Sequence, residues 1–137
     1  MSAARSLLIP AIVLLAACST GLLKRDSQPL HYEDYAGAPV QSFRIIAMDS
    51  WEPVSRNQLL LWNAPSEAYL LTVWSTCNNL MFANVVRVSS TAREVSRVEQ
   101  VTVDGMRCPI ESIRPVDVKA MRADRRAREE KPPDAAK

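Results

Sequence analysis

The sequence predicts a small, mostly β domain: an antiparallel sheet or partly closed barrel of about six strands, with one disulfide and a short C-terminal helix. Three observations indicate this class. Short apolar runs recur between residues 40 and 114, with turn residues between them. Asp104-Gly105 stands between two of these runs, a strong local signal for a β-hairpin. The body also holds two cysteines, Cys77 and Cys108, an even pair typical of small disulfide-linked domains.

Six apolar runs are predicted to be strands, since each alternates apolar and polar residues or is rich in β-branched and aromatic ones. The third run is apolar on both faces, which predicts a central strand with Trp74 in the core. A helical turn is predicted over residues 80–83. The six runs lie at residues 40–48, 58–62, 69–74, 85–88, 98–103 and 106–110.

The last two runs are expected to form a hairpin. Asp104 and Gly105 suit a type I′ turn, because both of its central residues need positive φ. Pro109 has no N–H to donate to a ladder, so the second arm is expected at a sheet edge or to end early.

A charged helix is predicted at the C-terminus, with Asp117 as its cap. Apolar residues at helical spacing occur only in its first turn, and the remainder is polar all round. Residues 118–137 are therefore interpreted as a charged helix and tail. Two interpretations remain open: a solvated tail, or a basic patch that meets lipid phosphates or an acidic partner.

Residues 1–17 have the order of an export signal. Arg5 supplies a positive charge, a short apolar run follows, and small residues end the segment. The run is too short for a transmembrane helix, which needs about 20 apolar residues. Leu15-Ala16-Ala17-Cys18 resembles a bacterial lipobox, where a diacylglycerol is joined to the cysteine thiol before cleavage. Ordinary secretory cleavage is the alternative, since Ala17-Cys18-Ser19 also fits a small-x-small pattern.

The lipobox resemblance implies a mature chain that begins at Cys18 and is held at a membrane by acyl chains. In the family rule known from enteric bacteria, an aspartate after the cysteine retains the protein in the inner membrane. Ser19 therefore favours the outer membrane, with the body facing the periplasm. Residues 18–39 are expected to be a flexible tether, in which residues 31–35 could dock through their aromatic side chains, and residues 40–117 the β domain.

The composition argues against several classes of partner. Residues 1–17 contain one basic and no acidic residue, so the formal net charge falls from +2 to +1 without them. A near-neutral body favours neither nucleic acid nor a nucleotide, and three glycines leave no glycine-rich phosphate loop. With one histidine, His31, and no CxxC motif, no metal or cofactor is expected.

No catalytic set is evident, so an enzyme is not expected. His31 lies in the predicted tether, whereas a catalytic triad needs rigidly held groups. Asp49 and Glu52 flank Trp51 and could suit glycan hydrolysis, but two such acids are more often surface residues.

Four residues form the predicted binding edge. Trp51 and Trp62 border predicted loops, where a ring can stack on a sugar or a partner peptide. Asn78 and Asn79 follow Cys77 in a turn that a disulfide would hold. The alternative is that the rings close the ends of the sheet and the asparagines are ordinary turn residues.

The body resembles a group of small proteobacterial lipoproteins defined by a domain of unknown function. The resemblance implies one folded module with a Cys77–Cys108 bridge and no assigned activity. We therefore expect a non-enzymatic envelope module that binds a protein partner or has a structural role. The alternative is a module that binds glycan or lipid or inhibits a hydrolase. The resemblance is carried by Tyr69-Leu70-Leu71, Cys77-Asn78-Asn79-Leu80, Val101-Thr102-Val103-Asp104-Gly105, Cys108-Pro109-Ile110 and Ile113-Arg114-Pro115-Val116-Asp117.

Overall fold

The computed structural model describes residues 30–130. The predicted export signal, the lipidation site Cys18, the first part of the tether and residues 131–137 lie outside this range. Two short 3-10 turns cover Tyr32–Tyr35 and Leu80–Phe82. The regular elements are β1 Ser42–Arg44, β2 Ser50–Pro53, β3 Gln58–Ala64, β4 Glu67–Val73, β5 Val86–Val88, β6 Glu94–Ser96, β7 Gln100–Val103, β8 Met106–Val116 and α1 Val118–Glu130.

Six of the strands form one antiparallel, nearly closed sheet in the order β2-β3-β4-β8-β7-β5. The remaining strands, β1 and β6, pair only with each other, with Phe43 opposite Val95. Residues 30–130 are thus mostly β, with one C-terminal helix and one disulfide, which confirms the predicted fold class.

The sequence missed β2 and β6. Both are short, and each is defined by a partner distant in sequence: β2 pairs with β3, and β6 pairs with β1. The predicted run over residues 40–48 is correspondingly too long, because only Ser42–Arg44 is a strand there. The exposed side chains of Ile46 and Met48 show that residues 46–48 lie in a surface loop.

The predicted hairpin is confirmed by the backbone at its turn. Asp104 has φ 46° and Gly105 has φ 90°, as a type I′ turn requires. The Asp104 carboxylate also accepts from the backbone N–H groups of Asn84 (3.1 Å) and Val85 (2.8 Å). The hairpin turn is therefore hydrogen-bonded to the backbone just before β5.

The expectation for the second hairpin arm is wrong, because β8 continues through Pro109 to Val116 in the middle of the sheet. Pro109 is the last β8 residue paired with β7, and pairing with β4 begins at Ile110. The proline stands where β8 changes partners, so its missing N–H interrupts neither ladder. Pro115 is tolerated for another reason. Its carbonyl accepts from Gly37, so its nitrogen, on the same side of the strand, faces away from β4.

The central position predicted for the third run is confirmed, because β4 lies between β3 and β8. Both faces of this region are buried. Leu59, Leu61 and Leu71 belong to one core cluster, which β1 and β6 cover with Phe43 and Val95. We call this the inner face of the sheet. The second cluster, on the outer face, packs against α1 and is formed by Leu60, Trp62, Ala68, Leu70, Val116, Val118 and Met121.

Helix α1 begins after Asp117, whose side chain accepts from the Ala120 N–H at 2.9 Å, as the predicted cap requires. Val118 and Met121 are its buried residues, which agrees with the apolar spacing of the first turn. Within residues 30–130, no helix is both long and apolar enough to cross a membrane.

Residues 30–39, which the sequence assigned to the tether, pack against the body. The Gly37 N–H donates to the Pro115 carbonyl at 2.7 Å, and Arg114 donates to the carbonyls of Ala36 and Gly37 at 2.8 Å each. The Tyr32 hydroxyl donates to Glu52 at 3.0 Å. The packed body therefore begins before the predicted boundary at residue 40. Backbone hydrogen bonds and tyrosine contacts hold this segment. Apolar residues at a regular spacing are therefore not needed there, and the sequence shows none.

Candidate binding surface

The predicted binding edge is divided by the pleat of the sheet. Trp51 lies opposite Leu61, and its half-buried ring packs on the inner cluster. Trp62, one residue further along β3, belongs to the outer cluster and is only 7% exposed. The two rings therefore lie on opposite faces of the sheet and cannot form one surface with Asn78 and Asn79.

The ring of Trp62 is enclosed by polar partners. Its Nε1–H donates to Glu52 at 3.0 Å, and the Arg122 guanidinium lies 5.5 Å from the ring centroid. A ring covered on its face by a cation and hydrogen-bonded at its edge offers little surface for a ligand. Trp62 thus connects β3 to β2 through Glu52 and to α1 through Arg122.

Trp74, which the sequence placed in the core, is 55% exposed. Strand β4 ends at Val73, and the Trp74 N–H donates to the Pro109 carbonyl at 3.1 Å. The core prediction is therefore wrong: the apolar run extends one residue beyond the strand, and that residue presents its ring to solvent.

The loop after β4 is fixed along its length. The disulfide between Cys77 and Cys108, with a Cα–Cα distance of 5.9 Å, joins it to β8. The Cys77 N–H donates to the Trp74 carbonyl at 2.8 Å, and the Leu80 N–H donates to the Arg56 carbonyl at 3.1 Å. Leu80 itself is buried. Asn78 and Asn79 are exposed in this loop.

Several large apolar side chains are exposed between β4 and β5 and at the start of β8. Phe82 is 78% exposed, just after the buried Leu80. Met106 begins β8 and lines a small depression beside the disulfide together with Asn79 and Leu80. Exposed apolar groups on a rigid support are typical of recognition surfaces. We call this set the disulfide-end patch; it consists of Trp74, Met81, Phe82, Val85 and Met106.

Sequence reasoning missed most of the disulfide-end patch. Met81 and Phe82 were predicted to form a helical turn, and the structure places Phe82 in a 3-10 turn. Val85 was included in a strand that begins one residue later, at Val86. The available signal was the apolar pair Met81-Phe82 in a turn that closely follows Cys77.

A polar cluster around Asn63 holds the loop between β1 and β2. The buried Asn63 side chain accepts from the Ile46 N–H and donates to the Arg44 carbonyl, both at 3.0 Å. Its amide also donates to Glu67, which accepts from the Tyr69 hydroxyl at 2.6 Å. These side chains satisfy one another, so the cluster is structural.

Asp49 and Glu52, the two carboxylates considered for catalysis, have different surroundings. Asp49 is exposed, whereas both Glu52 oxygens accept hydrogen bonds, one from the Tyr32 hydroxyl and one from Trp62. His31 is exposed beside the first 3-10 turn. Among the residues that the structure describes, no three His, Cys, Asp or Glu side chains cluster as a metal site would require.

The tyrosine pKa values fit donor roles. Burial, and then the hydrogen bond to Glu67, raises the pKa of Tyr69 to about 12. Burial, and then the bond to Glu52, raises the pKa of Tyr32. Each hydroxyl therefore keeps its proton at neutral pH and donates it to the neighbouring carboxylate.

A family model described as "Family of unknown function (DUF6491)" matches residues 1–132. No curated protein and no solved structure matches the chain.

Proposed function

We propose a function for this chain, which belongs to the DUF6491 family of unknown function: its β domain is a non-enzymatic protein-binding module. Its binding surface is the disulfide-end patch. The observation that carries the proposal is Phe82, 78% exposed on a turn fixed by the disulfide and by buried Leu80. An aromatic ring on a fixed backbone buries a large apolar area on binding and loses little conformational entropy.

The proposal places this module in the bacterial envelope. Cys18 carries the lipid anchor, the outer membrane is its location, and the body faces the periplasm. Support comes from the charged, apolar and small-residue order that ends in the lipobox-like sequence before Cys18. The described body begins at residue 30, so residues 18–29 span at most about 40 Å. The end of the body at residue 30 would therefore lie within about that distance of the membrane surface.

The experiment is photo-crosslinking in cells. A photoreactive amino acid replaces Phe82 or Trp74 in the full chain, and Val98 serves as the control position. Val98 is 87% exposed and lies in the turn before β7, outside the patch. We expect one protein partner to be captured from positions 82 and 74 and not from position 98. Absence of capture at both patch positions, or the same products from position 98, would contradict the proposal.

A substitution separates binding from folding. Phe82→Ala should leave the free energy of unfolding within about 0.5 kcal/mol of the wild type, because the ring is largely exposed. The same variant should lose most of the partner that is captured from position 74. Retention of the partner at the wild-type level would show that Phe82 is not an anchor.

The exposed ring of Trp74 favours a second candidate, a module that binds glycan or inhibits a glycan hydrolase. A sugar face stacks on an exposed indole, which changes its fluorescence. Titration with peptidoglycan fragments and with lysozyme tests this candidate. A saturable change that disappears in Trp74→Phe supports it, and an unchanged signal with every ligand argues against it.

A further inference from the structure

Two exposed arginines stand in one row across the outer face of β5, β7 and β8. Arg87 lies opposite Thr102, and Thr102 lies opposite Arg107. Directly opposed residues of antiparallel strands point to the same face, with Cβ atoms about 4.5–5.5 Å apart. The two arginines therefore flank Thr102, with their Cβ atoms about 10 Å from each other. We call these three residues the arginine row.

The positive charge of this row has no partner within residues 30–130. Neither guanidinium makes a salt bridge or a hydrogen bond there, and the ion pair described in that range joins Arg128 to Asp124 on α1. Of the nearby acids, Asp104 accepts from the backbone N–H groups of Asn84 and Val85, just before β5. Glu99 accepts from the hydroxyls of Ser89 and Thr91.

The face around the row is open. A groove of about 420 Å³ beside the row is lined by Val85, Arg87, Thr102, Asp104 and Gly105. Its lining therefore holds one arginine, Arg87, and one carboxylate, Asp104, and Arg107 is not part of it. Elsewhere on the outer face, α1 and the segment around Tyr32 and Tyr35 pack on the second core cluster. None of those elements belongs to the groove lining, so this end of the sheet keeps an uncovered polar groove.

We infer that the arginine row binds an acidic segment of the partner protein whose apolar anchor occupies the disulfide-end patch; this inference rests on the proposed function. Val85 belongs to both the groove and the patch, so one partner can reach both. A guanidinium pairs with a carboxylate through two parallel hydrogen bonds, and Thr102 adds a hydroxyl donor. A groove suits a chain segment with carboxylates better than it suits the broad surface of an anionic bilayer.

The first test uses NMR of the oxidised protein with a hexaglutamate peptide as probe at low salt. We expect the Nε–Hε signals of Arg87 and Arg107 to shift, and those of Arg44 and Arg97 to stay in place. Arg44 is the last residue of β1, opposite Glu94, and Arg97 follows β6. Both are exposed and lie outside the row. No shift, or equal shifts of all four signals, overturns the inference. A response to phosphatidylglycerol vesicles without one to the peptide also overturns it, in favour of a lipid surface.

The second test uses the partner itself. The double variant R87Q/R107Q should lower crosslinking from position 82 about tenfold, because charges at an interface rim mainly set the association rate. The control R44Q/R97Q removes the same charge and should retain the wild-type yield. A wild-type yield in R87Q/R107Q overturns the inference but leaves the proposed function standing. If no variant captures a partner, the proposed function fails, and the peptide titration still decides whether the row binds carboxylates.

Discussion

Phe43 and Tyr69 stack with their ring centroids 3.9 Å apart and their planes 17° from parallel. Phe43 belongs to β1, which pairs only with β6, whereas Tyr69 belongs to β4 in the middle of the large sheet. The stacked rings therefore join two sheets that share no ladder. The same Tyr69 hydroxyl reaches Glu67, so one side chain connects the sheet contact to the polar cluster around Asn63.

The first prediction concerns this contact. Phe43→Ala should lower the free energy of unfolding by about 3–5 kcal/mol, because it removes a buried ring and leaves a cavity between the sheets. Urea denaturation of the purified protein measures the change. The other phenylalanine of the chain is the control: Phe82→Ala should cost less than about 0.5 kcal/mol. Equal losses in the two variants would show that Phe43 is not part of the core.

The second prediction is a loss of stability at alkaline pH. A tyrosine in the unfolded chain ionises near pH ~10, whereas the pKa of folded Tyr69 is about 12. Between these values the folded state holds a proton that the unfolded state has lost. The contribution is therefore complete below about pH 10 and disappears as pH rises through about 12.

Urea midpoints measured across this pH range test the alkaline prediction. Tyr32 and Tyr35 also have raised pKa values, so the wild type should lose stability through several tyrosines. Tyr69→Phe should be less stable at neutral pH by about 1 kcal/mol, since Glu67 loses a donor, and should show a shallower alkaline slope. An unchanged slope in Tyr69→Phe would assign the effect to the other tyrosines.

The third prediction concerns the disulfide. The bond joins residues 31 positions apart, for which chain entropy gives about 3–4 kcal/mol of stabilisation. Unfolding of Cys77→Ala/Cys108→Ala against the oxidised wild type measures this contribution. Reductant should destabilise the wild type and leave the double variant unchanged. In the oxidised protein, alkylation under denaturing, non-reducing conditions should find no thiol at either position, and labelling of both would refute the bridge.

The fourth prediction concerns residues 30–39. Arg114 donates to two backbone carbonyls of this segment, Ala36 and Gly37. Arg114→Gln should release it, so that limited proteolysis cuts there at least several-fold faster than in the wild type. Arg107→Gln is the matched control, since Arg107 is exposed in the same strand and does not contact the segment. Equal cutting in the two variants would mean that the backbone hydrogen bonds and the tyrosines hold the segment without the Arg114 side chain.

The parts of the fold that were predictable depend on local chemistry. The hairpin turn follows from Asp104-Gly105, because few other pairs adopt positive φ at both positions. The central place of β4 follows from apolar residues on both of its faces. The cap at Asp117 follows from one side chain and the helix that comes after it.

The parts that were not predictable depend on partners distant in sequence. Strand β2 contains polar residues and a proline, and only its pairing with β3 makes it a strand. The exposure of Trp74 depends on where β4 ends, and its pairing with β8 stops at Val73, opposite Ile110. The burial of Trp62 requires its contacts with Arg122 of α1 and with Glu52. No apolar pattern near Trp62 in the sequence predicts either contact.

The shared strand β8 has a consequence for the order in which the chain can assemble. Strands β2, β3 and β4 are neighbours in sequence and can pair as soon as residue 73 is available. The other edge of β4 stays unpaired until residues 110–116 are available. Strand β7 also cannot join the sheet before β8, because it pairs with β8. A ribosome or an export channel that delivers the chain from its N-terminus therefore releases an incomplete, apolar sheet until residue 116 has emerged. Folding of this domain must therefore follow delivery of nearly the whole chain, and the edge of β4 that pairs with β8 stays open until then.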